Sequence, residues 1–107
     1  MKNKMDDLYY TICERKKAAP KGSYTAQLFG GGTDAIAQKV GEEAVETIIE
    51  AIAKRKSGLI YESVDLIYHL MVLWADSNIK LEEIWDEMAR RTSKSGLEEK
   101  ANRVKTQ

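Results

Sequence analysis

The chain has 107 residues, 43% of them hydrophobic and 32% charged, which is enough for one domain spanning residues 1–107 and is typical of a helix-rich globular protein. The 17 basic and 17 acidic side chains cancel, so the composition does not support a nucleic-acid-binding protein, and any anion site has to be local. The single cysteine, Cys13, excludes an intrachain disulfide and a zinc site built on several cysteines, and because neither a signal peptide nor an apolar run of about 20 residues is found, we expect a cytoplasmic protein without a membrane segment.

The N-terminal third is predicted to hold one helix and one long connection. Residues 4–18 are predicted to be helical because apolar side chains recur at helical spacing, and a proline and a glycine follow their end. Residues 19–33 are predicted to be the only long loop. Two interpretations stay open for it, a flexible linker or a loop whose Ser23 and Thr25 hydroxyls meet a phosphate. The glycines at 30–32 lack the lysine and spacing of a phosphate-binding P-loop.

A long helix is predicted over residues 34–54, with Thr33 or Asp34 as its N-cap. One face carries a charged stripe that consists of Lys39, Glu43, Glu46 and Glu50, with Glu42 at its edge. The opposite face is apolar and comprises Val40, Ala44, Val45, Ile48 and Ile52. Taken alone, such a stripe is typical of a solvated helix face.

The next predicted helix, residues 59–76, is apolar on nearly every side and is therefore expected to be buried. Glu62, Asp65 and His69 nevertheless share one of its faces. A buried carboxylate needs a metal, a basic partner such as Lys54 or Arg55, or a proton. For His69 the pattern leaves open a hydrogen-bonded core residue or a residue that orients a carboxylate or a phosphate.

The spacing of the acidic residues connects these two helices. Residues three apart lie on one helix face, so Glu43 and Glu46 project together, as do Glu62 and Asp65. The short turn between the helices predicts antiparallel packing, which brings the carboxylates face to face. Like charges at one place repel each other unless a cation lies among them, and Mg²⁺ takes oxygen ligands.

The C-terminal part is predicted to add a helix at 81–92 and a short one at about 96–104, which begins with the capping box Ser95–Glu98. The whole is therefore predicted to be an all-α antiparallel bundle of four to five helices. This end is locally basic through Arg90, Arg91, Lys94, Lys100 and Arg103. These residues are interpreted as either an ordinary charged tail or a phosphate clamp.

Four segments of the sequence occur in the order found in one known family. They are Ser23-Tyr24-Thr25-Ala26, Lys39-Val40-Gly41-Glu42-Glu43 with Glu46, Glu62-Ser63-Val64-Asp65 with Tyr68-His69, and Ser95-Gly96-Leu97-Glu98-Glu99-Lys100. From about residue 5 to 103 the chain resembles phosphoribosyl-ATP pyrophosphohydrolase, the second enzyme of histidine biosynthesis. The paired acidic motifs mark the wider all-α superfamily that includes MazG and the dimeric dUTPases, and the flanking segments indicate this branch.

The resemblance implies Mg²⁺-dependent hydrolysis of phosphoribosyl-ATP to phosphoribosyl-AMP and pyrophosphate by a MazG-like bundle that dimerisation completes. It implies Glu43, Glu46, Glu62 and Asp65 as Mg²⁺ ligands, with Glu42 as a further ligand or as the base that orients water. The residues assigned to substrate binding are Lys39, His69, Arg90, Arg91, Lys94, Lys100, Ser23 and Thr25. In many organisms this domain is fused to phosphoribosyl-AMP cyclohydrolase. The zinc site of that enzyme is absent from this sequence, so the cyclohydrolase is expected to be a separate partner.

Three other protein classes are alternative interpretations of this sequence. A housecleaning pyrophosphohydrolase for dNTPs would share the acidic motifs. A helical interaction module without catalysis would use its acidic face to bind a basic partner. A di-iron carboxylate bundle is disfavoured, because it needs Glu-x-x-His pairs on two helices and His69 is the only histidine.

Overall fold

The structure is a computed structural model that describes residues 3–92. Within that range the chain forms five α-helices and no strand, which confirms the predicted all-α class. The helices are α1 (Lys4–Ala18), α2 (Tyr24–Gly30), α3 (Gly32–Ile52), α4 (Lys56–Asp76) and α5 (Leu81–Thr92). The predicted helix at 96–104, together with Lys94 and Lys100, lies outside the described residues.

Helix α1 has the predicted bounds, and local chemistry explains both ends. Asn3 and Asp6 form a reciprocal capping box: the Asn3 side chain accepts from the Asp6 amide at 2.9 Å, and the Asp6 carboxylate accepts from the Asn3 amide at 3.1 Å. At the other end Ala19 adopts a left-handed conformation with φ 45° and donates its amide to the Arg15 carbonyl. The chain therefore turns away before Pro20.

The prediction of a long loop at 19–33 is wrong, because α2 forms inside it. The Ser23 hydroxyl accepts from the amide of Ala26 at 3.1 Å and caps the helix, and Leu28 is buried against the core. Gly31 ends α2 and also precedes the first residue of α3. Gly32 has φ +85°, a conformation that suits glycine, so the glycines form a tight corner rather than a linker.

Helices α3 and α4 form the central antiparallel pair. The Thr33 hydroxyl donates to the Asp76 carboxylate at 2.6 Å, and further along the pair the Thr47 hydroxyl lies 3.2 Å from the Glu62 carbonyl. As the residue number rises on α3 it therefore falls on α4, as predicted. The predicted N-cap at Thr33 or Asp34 is wrong, because α3 already begins at Gly32. Helix α4 begins three residues earlier than predicted.

The hydrophobic core lies at one end of this pair. It comprises Tyr9, Ile12, Leu28, Ile36, Met71, Val72, Ala75 and Leu81. At the other end the apolar side chains are exposed on both helices, namely Val45, Ile48, Ile49, Ile52, Ile60, Tyr61 and Val64. We call this second set the apolar face. The prediction that the whole of residues 59–76 is buried is therefore wrong for the first part of α4, because no element within residues 3–92 covers it. Among residues 3–92, no helix combines the length and apolar character that a membrane crossing needs.

Candidate active site

Glu43 lies at the centre of the acidic cluster on the α3–α4 pair. Its side chain is buried, with 4% of the residue surface exposed, and its Oε2 atom has no hydrogen-bond partner among the described residues. Burial, together with the neighbouring Asp65 and Glu46, raises the pKa of Glu43 to about 7. An uncompensated carboxylate in this position is costly, so the site favours either a proton or a cation there.

Two overlapping groups of candidate ligands share Glu43. Ligand atoms of Glu43, Glu46 and Glu62 lie within 4.8 Å of one another, and so do those of Glu43, Asp65 and His69. The Oε2 atom of Glu62 is also buried without a hydrogen-bond partner within residues 3–92, and burial with Glu46 nearby raises the pKa of Glu62. The structure thus brings together the acidic residues that the sequence predicted.

The chemistry of the donor set fits a hard divalent cation. The cluster offers carboxylate oxygens, and two of those oxygens are buried and lack partners in the described part of the chain. Among residues 3–92, one basic side chain reaches Glu43: the Lys39 Nζ lies 3.6 Å from its Oε1. A single ammonium group cannot neutralise four carboxylates, and a divalent cation would satisfy the unpaired oxygens directly.

Glu42 lies outside this cluster. Its side chain is exposed, and it accepts from the Gln38 amide at 3.0 Å and lies 3.4 Å from the Lys39 Nζ. Hydrogen bonds from Gln38 and Lys39 lower the pKa of Glu42, so it stays ionised in solvent beside the buried group. Glu50, at the end of the predicted stripe, is paired with Arg55 instead.

His69 is fully enclosed, with 2% of its surface exposed, and it connects α4 to α2. Its Nδ1 lies 2.8 Å from the Asp65 carbonyl, which can only accept, so Nδ1 carries a proton. In the neutral imidazole the Nε2 atom then accepts from the Tyr24 hydroxyl at 3.0 Å. Nδ1 also lies 3.6 Å from the Asp65 carboxylate. The contact from Tyr24 was not foreseen from the sequence, although Tyr24 stands in the quoted Ser-Tyr-Thr-Ala segment.

The remaining predicted substrate contacts that lie within residues 3–92 have partners in the protein. Ser23 caps α2, and the Thr25 hydroxyl is bonded to the Tyr68 hydroxyl. Near the end of α5, Arg90 and Arg91 both bind the Glu87 carboxylate, at 2.5 and 2.8 Å. The described residues therefore leave Lys39 as the predicted basic residue that contacts the acidic cluster directly.

Comparison with known proteins agrees with this geometry. A sequence model described as phosphoribosyl-ATP pyrophosphohydrolase matches residues 5–92. The chain is 50% identical to a phosphoribosyl-ATP pyrophosphatase of Paramagnetospirillum magneticum, covering 94% of this chain and 93% of the relative. It is 54% identical to one from Azospirillum brasilense, over 90% of this chain and 86% of the relative, and 48% identical to one from Rhizobium meliloti, over 92% of each. The chain belongs to the phosphoribosyl-ATP pyrophosphohydrolase family.

Proposed function

We propose that this chain hydrolyses phosphoribosyl-ATP to phosphoribosyl-AMP and pyrophosphate in a Mg²⁺-dependent reaction, as the second step of histidine biosynthesis. The observation that carries the proposal is the pair of buried carboxylate oxygens, on Glu43 and Glu62, that lack partners in the described residues. Membership of the family and the names of the relatives indicate the substrate. The acidic motifs alone would fit a dNTP pyrophosphohydrolase equally well.

Four carboxylates would hold Mg²⁺, namely those of Glu43, Glu46, Glu62 and Asp65. When bound, Mg²⁺ supplies positive charge that offsets the charge developing on the pyrophosphate leaving group. The protein's own part is to keep these carboxylates at fixed positions on two packed helices. His69 holds the Asp65 end of the site in place, since its Nδ1 proton is fixed on the Asp65 backbone.

Glu42 is the residue that we propose orients the attacking water. It is ionised and open to solvent beside Glu43, and its carboxylate can accept a proton from a water molecule without disturbing the buried group. Attack of that water on the α-phosphorus breaks the α–β anhydride bond and releases pyrophosphate. Lys39, adjacent to both Glu42 and Glu43, would donate to a phosphate oxygen.

Further phosphate contacts are proposed for Arg90, Arg91, Lys94 and Lys100, which would form a clamp at the C-terminal end. The two arginines are shared with Glu87, so a phosphate would compete with that carboxylate for them. Ser23 and Thr25 stay in the proposal as residues that shape the approach to the site. Their hydroxyls are occupied by structural contacts.

We also propose a homodimer, in which the apolar face is covered by a second copy. The side chains there are large and more than half exposed in a single chain, and Ile52 reaches 76%. Monomers rarely expose a continuous apolar surface of this kind. The face borders the acidic cluster, so dimerisation would also shield the site from water. A cytoplasmic location and a separate phosphoribosyl-AMP cyclohydrolase as a partner remain expectations from the family.

The test is pyrophosphate release from phosphoribosyl-ATP, ATP and the dNTPs, with Mg²⁺ and with EDTA. Cleavage of phosphoribosyl-ATP alone, abolished by EDTA, is expected. Glu46→Gln and Asp65→Asn should abolish turnover and keep the helical circular dichroism, whereas Glu14→Gln, on exposed α1 surface, should keep activity. Cleavage of dNTPs instead would overturn the substrate and keep the metal site. No cleavage by the wild type would favour the interaction module.

A further inference from the structure

A groove lies between α2 and α3, next to the acidic cluster. Its volume is about 410 Å³, within the range of about 300–1,000 Å³ of small-molecule sites. It is lined by Tyr24, Gln27, Leu28, Gly31, Ala35, Gln38 and Lys39. Gly31 and Ala35 approach each other closely in this groove, because a Cβ added at Gly31 would lie only 3.2 Å from the Cβ of Ala35. We call this space the α2–α3 groove.

The α2–α3 groove is continuous with the acidic cluster at two of its walls. Lys39, one wall, has its Nζ 3.6 Å from the Glu43 carboxylate. Tyr24, another wall, donates to His69, whose other ring nitrogen lies 3.6 Å from the Asp65 carboxylate. A substrate whose phosphates lie at the carboxylates can therefore extend its uncharged part into this groove.

The lining suits a flat, polar-edged and largely uncharged group. The Tyr24 ring is half exposed and offers an aromatic face, and Leu28 adds apolar surface. Gln27 and Gln38 bring amide groups, which can both donate to and accept from the edge of a base. Of the lining residues in the described part of the chain, Lys39 alone is charged, and it lies on the side of the acidic cluster. This distribution matches a nucleotide, with its anionic part at one end and its base and ribose at the other.

A second groove also touches the cluster, and it fits the base less well. Its volume is about 520 Å³, and its lining residues are Leu8, Ser57, Ile60, Tyr61, Val64, Asp65 and Tyr68. Most of this lining is apolar, and Ile60, Tyr61 and Val64 belong to the apolar face that we assign to a second copy. Because that copy would fill the space, and no amide or cationic side chain among residues 3–92 lines it, the α2–α3 groove is the better site.

We propose that the α2–α3 groove binds the nucleoside half of the substrate, that is its purine and ribose, with Lys39 at the junction to the phosphates. The proposal rests on the proposed function only in that it takes the phosphates to lie at the carboxylates. It assigns substrate recognition to Tyr24, Gln27 and Gln38 and makes Ala35 a residue whose small size keeps the site open.

The experiment fills the groove with a larger side chain. Ala35→Leu places a leucine in the α2–α3 groove, whereas Ala37→Leu makes the same change on another exposed face of α3 and serves as the control. Binding of AMP without Mg²⁺ is measured by NMR titration for both variants and the wild type. We expect Ala35→Leu to weaken AMP binding at least about tenfold and to raise the KM for phosphoribosyl-ATP similarly. It should leave the rise in melting temperature on adding Mg²⁺ unchanged, and Ala37→Leu should match the wild type throughout.

Gln27→Leu provides a second test that does not fill the groove, since it keeps the side-chain size and removes the amide. It should also weaken AMP binding. Equal AMP affinity in the wild type, Ala35→Leu and Gln27→Leu would overturn the groove assignment, as would no binding of AMP to the wild type at millimolar concentration. Loss of AMP binding in Ala35→Leu, with no cleavage of phosphoribosyl-ATP by the wild type, would support the groove and refute the proposed function. Normal cleavage with an unchanged KM in Ala35→Leu would support the proposed function and refute the groove assignment.

Discussion

Replacing Glu43 by glutamine is expected to stabilise the metal-free protein at neutral pH and to remove most of its response to Mg²⁺. The pKa of Glu43 is raised from 4.5 to about 7 by burial and by Asp65 and Glu46. The folded chain therefore binds more protons than the unfolded chain between these values, so the stability of the wild type falls as the pH rises through this window. The glutamine variant lacks this titration and keeps its stability.

The size of the effect follows from the pKa. At about 1.4 kcal/mol for each pH unit, a rise from 4.5 to about 7 corresponds to about 3 kcal/mol in the free energy of unfolding. The neighbouring carboxylates share the repulsion, and the exposed side chains can move apart. We therefore expect the free energy of unfolding of the variant to exceed that of the wild type by about 1–3 kcal/mol at pH 8. For a domain of this size that is a rise of roughly 4–12 °C in melting temperature.

The assay is thermal unfolding of both proteins at pH 5 and pH 8, with EDTA and with Mg²⁺, and with Glu14→Gln as the control on exposed surface. At pH 5 the two should unfold at similar temperatures, since Glu43 is protonated in the folded wild type. At pH 8 the variant should be more stable in EDTA, and Mg²⁺ should stabilise the wild type more strongly than the variant. A variant that is no more stable than the wild type at pH 8 in EDTA would refute the reasoning.

Three further predictions concern other parts of the chain. Tyr9→Phe removes the hydroxyl that donates to the Ile79 carbonyl, so it should lower the free energy of unfolding by about 1–2 kcal/mol. Urea unfolding should show this as a lower midpoint, and an unchanged midpoint would contradict the prediction. Ile52→Lys should convert the proposed dimer into a folded monomer in analytical ultracentrifugation, and an unchanged mass would argue against the apolar face as the interface. Hydrogen bonds from the two arginines that follow Glu87 lower its pKa from 4.5 to about 2, so it should titrate by NMR near pH 2 in the folded chain. Any stabilisation from these contacts should be lost as the pH falls from about 4.5 to about 2; a titration near pH 4.5 would contradict this.

The acidic site could be predicted because its geometry is set by local spacing. Glu43 and Glu46, like Glu62 and Asp65, are three residues apart on a helix, and a short turn forces the two helices to pack antiparallel. Those two facts suffice to bring the carboxylates together. The bounds of α1 followed in the same way from periodicity and from the residues after its end.

Helix α2 could not be predicted, because seven residues give too short a periodic signal. Isolated helices of this length are unstable in water, so α2 depends on packing of Leu28 and on its Ser23 cap. The contact between Tyr24 and His69 joins residues 45 positions apart, which no local pattern reveals. The glycines at 30–32 suggested a linker because no local pattern shows the tight corner that they form. That corner exists only once α2 and α3 are packed.

Because the hydrophobic core lies at one end of the α3–α4 pair, the two ends of the pair should differ in local unfolding. Met71, Val72 and Ile36 anchor one end of the α3–α4 pair, whereas no other helix of residues 3–92 covers the end with Ile48 and Ile52. Hydrogen exchange should therefore be slow at the anchored end and fast at the uncovered end in dilute protein, and should slow as the concentration rises. The carboxylates lie between these two regions, so the order of the site would depend on how much protein is present.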